Sequence, residues 1–409
     1  MPSPIDLPPA GRRVVHAMDG QLAAVDAPPI GRADIELLAR HLPDWTPLEV
    51  AWQSPRPFSA AARVRCREGD IFVKRHDRRV RNAAAVLEEH RFIAHLRARG
   101  FAVPEPLRLA RPGAAPSTAL EAGGATYEVH ALAAGVDLYA DAHSWTPPRS
   151  AGHAHALGAA LARLHLAAEG FAAPRRAPRP LGASFELAGA SDLAQALDDF
   201  LQARPAAKDY LARTRPGARA AILERLGPWH AGLRGQLPAL APLWAHNDWH
   251  ASNAFWTGDG PEAQVACAVD FGLCNLGCAV ADLATALERN TISWLDLDES
   301  QLDWAAAPLE GDIGHTGLAG ALLAGYGQVR RLAPAERAAL PLLLPIAHAE
   351  FALSEVDYFA GVAGRDDDAA RACPGFLLGH VRWFEGAHGR AYLAGLEAAL
   401  AGLEGASAA

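Results

Sequence analysis

Polar and apolar residues make strand-like runs over residues 48–53, 61–67 and 71–75. Side chains along a strand face opposite sides in turn, so these runs predict three short antiparallel strands. The period then changes. Over residues 80–99 apolar positions recur at helical spacing, with Val86, Ile93 and Leu96 on one face. Glu89 falls on that same face, where a carboxylate is costly unless paired. Gly100 ends the helix, and Val103-Pro104-Glu105-Pro106 leads towards a further strand over 126–130. A short helix near residues 34–42 precedes the first strand. Residues 131–135 read as a hinge. Beyond them the chain is helix-rich, with long helices around 157–165 and over 345–362. Two short strands interrupt it, at 254–256 and 265–269, around the Gly258-Asp259-Gly260 turn. No internal repeat is present. The pattern predicts an α+β chain with a lead-in at 1–44, a sheet region at 45–131 and a helical region at 132–409.

Candidate chemistry concentrates on that hairpin. Its first strand follows Leu243-Trp244-Ala245-His246-Asn247-Asp248-Trp249-His250-Ala251-Ser252-Asn253, and its second runs into Val269-Asp270-Phe271-Gly272. Asp248 lies five residues before Asn253, and Asp270 lies seventeen after it. Phosphoryl transfer needs one carboxylate to accept a hydroxyl proton, and an amide oxygen and a second carboxylate to hold metal. Asp248, Asn253 and Asp270 fit those roles in that order. The hairpin is what brings Asn253 and Asp270 to one metal. His246 and His250, four apart, would also suit a helical zinc motif. The Glu that such a motif carries between them is missing, and no further ligand cluster follows.

Lysine usage points the same way. The chain has two lysines, Lys74 and Lys208, against many arginines. Lys74 ends the run Asp70-Ile71-Phe72-Val73-Lys74. A compact ammonium on such a strand reaches phosphates that a planar guanidinium fits less well. Glu89 is the candidate acidic partner for Lys74, and Glu88, about a hundred degrees round the helix, is expected to be solvated.

These segments resemble the protein-kinase-like small-molecule kinases of the aminoglycoside phosphotransferase and choline kinase superfamily. The resemblance spans residues 48–290 and is carried by His246, Asp248, His250, Asn253 and the Asp270-Phe271 pair. The Gly158, Leu161, Leu164 and His165 spacing and Asp282 add to it. It implies a bilobal protein-kinase-like fold, with a small antiparallel-sheet N-lobe and a large helical C-lobe. It implies ATP, or GTP, as phosphate donor and Mg2+ as the metal. Lys74 would then hold the α- and β-phosphates, Asp248 would be the base, and Asn253 and Asp270 the metal ligands. His246, His250 and Asp282 would brace the catalytic loop, and His165 would be structural. Backbone groups at Val129, His130 and Ala131 would meet the adenine edge. Two departures stand out. Asn247 occupies the usual Gly position, which suggests a local backbone change. The loop at 54–59, in the place of a glycine-rich phosphate loop, contains no Gly, leaving Ser54 and Ser59 as donors to phosphate.

Composition narrows the rest. No stretch approaches the roughly eighteen uninterrupted apolar residues of a membrane span. Residues 1–7 lack a basic-then-apolar signal pattern. The five cysteines are scattered and read as reduced, buried thiols of a cytoplasmic protein. The net charge of −8 argues against general nucleic-acid binding. The helix at 345–362 carries His348, Glu350, Ser354, Glu355 and Asp357 among aromatics. A solvated outer face is the expectation there, with an amine- or sugar-receiving face as the alternative. Asp366-Asp367-Asp368 reads as a solvated loop. The tryptophans at 244, 249, 256, 294, 304 and 383 read as core, with a cage for a quaternary ammonium as the alternative. The acceptor expected is a hydroxyl on a small molecule: an aminoglycoside, a choline-like alcohol, homoserine or a sugar. A Ser/Thr protein kinase of the same superfamily and a non-catalytic nucleotide-binding scaffold remain open. The complete set of Lys74, Asp248, Asn253 and Asp270 speaks against the scaffold.

Overall fold

The computed structural model describes residues 28–54, 58–111, 113–140, 142, 144–183, 185–296 and 309–405. Residues 1–27, the 55–57 segment of the proposed phosphate loop and Trp304 lie outside them. The chain first builds a five-stranded antiparallel sheet in the order β1-β2-β3-β7-β6. Its strands are β1 (Pro47–Gln53), β2 (Ala60–Cys66), β3 (Asp70–Asp77), β6 (Ala119–Ala122) and β7 (Ala125–Ala131). Between β3 and β6 come α2 (Ala83–Ala98) and a small ribbon of β4 (Leu109–Arg111) and β5 (Ala114–Ser117). The expected strands and α2 thus form, within a few residues. The helix starts later than its apolar pattern because Asn82 caps it, its side chain accepting from Ala85 N at 2.9 Å.

Helix α1 (Arg32–Ala39) packs on β1. It is tied to the sheet through Asp34, which accepts from Arg75 (2.7 Å) and the Tyr127 hydroxyl (2.7 Å). Under the sheet lies a core that includes Leu38, Val64, Ile71, Val73 and Val129. The inner face of α2 belongs to a second, larger core instead: Phe92, Ile93 and Leu96 pack with the helical part of the chain.

That part contains α3 (Ala151–Ala168), α4 (Leu193–Gln202), α5 (Pro205–Thr214), α6 (Ala218–Leu233) and α7 (Ala279–Thr291). It continues with α8 (Thr316–Val329), α9 (Pro334–Leu343), α10 (Ala349–Tyr358), α11 (Asp366–Ala370), α12 (Leu377–Glu385) and α13 (Ala387–Gly405). Two two-stranded ribbons sit among the helices: β8 (Pro242–Ala245) with β11 (Asn275–Cys278), and β9 (Ala254–Trp256) with β10 (Val265–Ala268). Helices α3 and α8 pack backbone to backbone at Gly158. A Cβ there would stand 1.9 Å from Leu322 O, so the Gly of the expected helix signature has a steric cause. The stretch Pro334–Ala363 is apolar and long enough to cross a membrane, yet 89% of its most apolar window is buried in this core.

Three expectations about the helical region change or settle. The polar side chains of α10 are not solvated: Glu350, Ser354, Glu355 and Asp357 are all buried. Two of them cap backbone from other elements, Glu350 accepting from Leu187 N (2.6 Å) and Asp357 from Ala207 N (3.1 Å). A single helix period could not show this, because both faces of α10 are covered. Asp366 to Asp368 form the short helix α11 rather than a loop, with Asp366 and Asp367 exposed. Trp244, Trp249, Trp256, Trp294 and Trp383 are core residues.

Candidate active site

The loop that carries the candidate base Asp248 connects β8 to β9 and is held from beneath by Asp282, in the first turn of α7. Asp282 is fully buried. It accepts from His246 N (2.9 Å), Asn247 N (2.8 Å) and His165 Nε2 (3.0 Å). Burial alone would raise its pKa, but those donors hold it below the ordinary carboxylate value. His165 reaches it from α3 and is itself oriented by the Tyr326 hydroxyl of α8 at 2.7 Å. Three helices therefore converge on one carboxylate under the loop.

The loop backbone follows. Asn247 takes φ 60°, a left-handed conformation that Asn tolerates as well as Gly. Its side chain also donates to Leu273 O at 3.1 Å. Asn at this position thus holds a left-handed backbone that Gly would adopt without a steric cost. The Asp248 N–H donates to His246 Nδ1 (3.2 Å), which leaves Nε2 as the protonated nitrogen, donating to Val269 O at 3.0 Å. Burial holds His246 below its ordinary pKa, in keeping with this neutral tautomer. Asn290 of α7 adds two more ties, accepting from Ala251 N and donating to Trp249 O, both at 2.9 Å.

Asp248 is one-fifth exposed, and its carboxylate is met by three groups. The Arg289 guanidinium pairs with Oδ1. His250 Nε2 lies 3.5 Å from the same oxygen, and Asn253 Nδ2 donates to Oδ2 at 3.2 Å and to the backbone oxygen at 2.9 Å. With its NH2 group turned to Asp248, Asn253 directs its amide oxygen away from it. Val269 N donates to Asn253 O at 2.9 Å, and the register Ala254↔Ala268 closes the hairpin. Asn253 and Asp270 thus lie at the same open end of one ribbon, as their spacing predicts. Asp270 sits in the left-handed region, φ 61°, and its Oδ1 lies 3.0 Å from Lys74 Nζ on β3. That ion pair joins the sheet to the end of the hairpin where the candidate metal ligands lie. An amide oxygen and a carboxylate are hard donors that suit Mg2+.

The expected Lys74–Glu89 pair does not form. Glu89 faces inward from α2 as its periodicity predicts and is 2% exposed. Its partners are arginines: Arg176 Nη2 at 2.5 Å, Arg81 Nη2 at 3.2 Å and Arg179 Nη2 at 3.8 Å. Arg176 also donates to Gly272 O, Cys274 O and Ala85 O, and pairs with Glu88 at 3.3 Å. Arg179 donates to Gly272 O at 2.9 Å, and burial pushes its pKa down to about 10. A Cβ at Gly272 would overlap the Arg81 guanidinium, so any larger residue after Asp270-Phe271 would displace Arg81 from Glu89. Glu89 therefore connects α2 to the segment after Asp270 rather than to Lys74. Glu88 is paired rather than simply solvated.

The adenine edge also shifts. Val129 O already accepts from Leu107 N (2.7 Å), and Ala131 N donates to Glu105 O (2.9 Å), while His130 faces Phe72 of β3 in the ladder. The Glu105–Leu107 segment has taken the backbone edge assigned to a base. The His130 side chain instead joins His76 and His90 around the Glu128 carboxylate, each at 2.8 Å. Ser54 stands at the end of β1, its N–H on Ala61 O at 2.7 Å. Ser54 and Ser59 flank the part of the loop outside the described residues. All five cysteines are buried and reduced.

Sequence reasoning missed Arg289, Asn290 and Arg176. The first two carried a signal: they follow Asp282 by seven and eight residues on α7 and so share its face. Arg176 lies in a Pro-rich connection with no periodicity to place it.

Comparison with known proteins gives a consistent picture. Residues 55–339 match the phosphotransferase enzyme family. A homoserine kinase of Methylorubrum populi is 31% identical over 265 residues, covering 64% of this chain and 66% of that protein. The match thus spans just under two thirds of that relative. Among solved structures, amicoumacin kinase, solved with AMP-PNP and Ca2+, superposes with a TM-score of 0.52 at 18% identity, covering 87% of this chain and 92% of that one. A microcompartment-associated aminopropanol kinase gives 0.51 at 17% identity, covering 85% and 94%. At these identities the two structures establish the likeness of fold.

Proposed function

The chain belongs to the phosphotransferase enzyme family, and we propose that it is a kinase that moves the γ-phosphate of ATP to a hydroxyl of a small amine-bearing alcohol. The observation that carries this reading is the convergence of four groups from three segments: Lys74 on Asp270 at 3.0 Å, and Asn253 on Asp248 at 3.2 Å. Asn253 and Asp270 would hold the Mg2+ that neutralises phosphate charge when the nucleotide is bound. Lys74 supplies a positive charge beside them, and its pairing with Asp270 keeps it in the cleft. Asp248 orients the acceptor hydroxyl and takes its proton late, since a loose transition state needs little early proton removal. Arg289, His250 and Asn253 hold that carboxylate still, which places the base by geometry rather than by its own flexibility.

The acceptor class rests on the relatives. Homoserine kinase is the curated relative at 31% identity, and aminopropanol kinase shares the fold. Both names denote alcohols that carry an amine. Homoserine is therefore the first acceptor to try. The purified protein would be given radiolabelled ATP, Mg2+ and, in separate reactions, homoserine, aminopropanol, choline, an aminoglycoside, a neutral sugar and a generic protein. Transfer to one or more amine-bearing alcohols is expected. Transfer to the protein substrate alone would make it a protein kinase. Nucleotide binding without transfer to any acceptor or hydrolysis would make it a scaffold.

A further inference from the structure

Three ligand-type side chains meet in the helical region, away from the hairpin. Glu288 lies near the end of α7, His348 just before α10, and His380 in the middle of α12. All three are buried, at 1%, 3% and 1% exposure, and one ligand atom from each lies within 4.8 Å of the others. Glu288 Oε1 stands 2.9 Å from His380 Nδ1 and 3.7 Å from His348 Nδ1. Donors placed tetrahedrally about 2.05 Å from one Zn2+ are about 3.4 Å apart. The two measured separations bracket that value. We propose that Glu288, His348 and His380 bind a zinc-class divalent cation, independently of the nucleotide's Mg2+.

Three features favour an ion. Two imidazoles and one carboxylate form a donor set used by zinc proteins, whereas Mg2+ and Ca2+ take oxygen donors. The rings are also fixed in orientation. Trp294 stacks on His380 at 3.7 Å and 9°, and Trp145 meets His348 edge-on at 5.2 Å. Lastly, complete burial suits an ion enclosed as the helices pack, and does not suit a substrate that must enter and leave.

The other comparable cluster among the described residues is His90, Glu128 and His130. There the Glu128 carboxylate already holds three imidazoles, those of His76, His90 and His130, each at 2.8 Å. At the Glu288 site an ion would tie α7 to α10 and α12. Glu288 is followed by Arg289 and Asn290, so the ion would stiffen the part of α7 that braces the catalytic loop.

The full chain, purified without a metal-chelating tag, would be stripped with chelator, incubated with Zn2+ alone, dialysed and assayed for metal by mass spectrometry. About one Zn2+ per chain is expected in wild type. His348→Gln and His380→Gln should each lower bound zinc at least tenfold, while Asp270→Ala and His90→Gln retain it. Because a ligand variant can misfold, Co2+ loaded into the wild type gives an independent readout: strong visible absorption from a tetrahedral nitrogen-and-oxygen site is expected. Wild-type chain that keeps no zinc overturns the proposal, as do loss of zinc in Asp270→Ala or His90→Gln, undiminished zinc in both ligand variants, and the weak absorption of six-coordinate Co2+.

Discussion

Arg289 sets the charge environment of Asp248. Its guanidinium sits between the Trp145 and Phe351 rings, about equally far from each (5.3 and 5.2 Å), and burial pushes its pKa down to about 9. A cation held this way fixes the orientation of its partner carboxylate. Replacing it with Met keeps the packing volume but removes the charge. Turnover of Arg289→Met should fall at least about tenfold, with nucleotide affinity unchanged, because the base would lose its fixed aim. Steady-state kinetics beside nucleotide titration checks this, and equal loss in both would show that Arg289 serves the nucleotide instead. The buried histidines carry a second consequence. His76, His230 and His246 are all held below their ordinary pKa of 6.5, chiefly by burial. The unfolded chain takes up their protons near pH 6.5, and the folded chain does so only at lower pH. Their contribution to stability is therefore complete above about pH 6.5 and is lost as pH falls below it, by up to about 1.4 kcal/mol per pH unit for each histidine. Thermal unfolding followed across that range should show Tm dropping on the acid side, and a flat profile would contradict the neutral tautomer assigned to His246.

Elements are coupled through buried charge where a conventional reading expects Lys74 and Glu89. Helix α2 is fastened to the segment after Asp270 by Glu89 and Arg176, the latter bonded to backbone on both sides. Removing one member of such a network leaves the other charge buried and unmet, so Glu89→Ala and Arg176→Ala should each cost about 3–5 kcal/mol. The double variant should cost well under their sum, and a double-mutant cycle by urea unfolding measures the difference. Strict additivity would mean the two residues act separately. Gly158→Ala tests the α3–α8 contact in the same way. Its methyl group would press on Leu322 O, and a loss of about 1–3 kcal/mol is expected as the helices move apart. At this scale the sequence told much and hid some. The strands β1, β2, β3 and β7 and the inward turn of Glu89 were readable because alternation and helical spacing are local signals. The ribbon β8–β11 was not, because its strands pair across the whole intervening hairpin, and neither was β4–β5, whose Ala- and Pro-bearing strands show no alternation. Nor was the burial of Glu350, Glu355 and Asp357, since a helix covered on both faces shows no polar side. The partner of Glu89 was hidden for a related reason: Arg176 reaches it from 87 residues away, through a connection without periodicity.

Over the whole molecule, the site lies where the two cores meet. Lys74 comes from the sheet, Asp270 and Asn253 from the hairpin, and Asp248 from a loop braced by α3, α7 and α8 through Asp282. The residues proposed to act on phosphate are brought together only when both parts of the chain are folded. Nucleotide binding should therefore raise Tm in the presence of Mg2+, and Asp270→Ala should remove the Mg2+-dependent part of that shift while leaving the apo Tm close to wild type. The central claim, however, is that Asp248 serves the acceptor hydroxyl, and it has a direct test. Asp248→Asn keeps the shape and removes the basic oxygen. Single-turnover transfer of γ-phosphate from saturating Mg2+-ATP to the acceptor found in the screen should slow by about a hundredfold or more, with nucleotide affinity near normal. Transfer at the wild-type rate would contradict the account, because the base would then lie elsewhere.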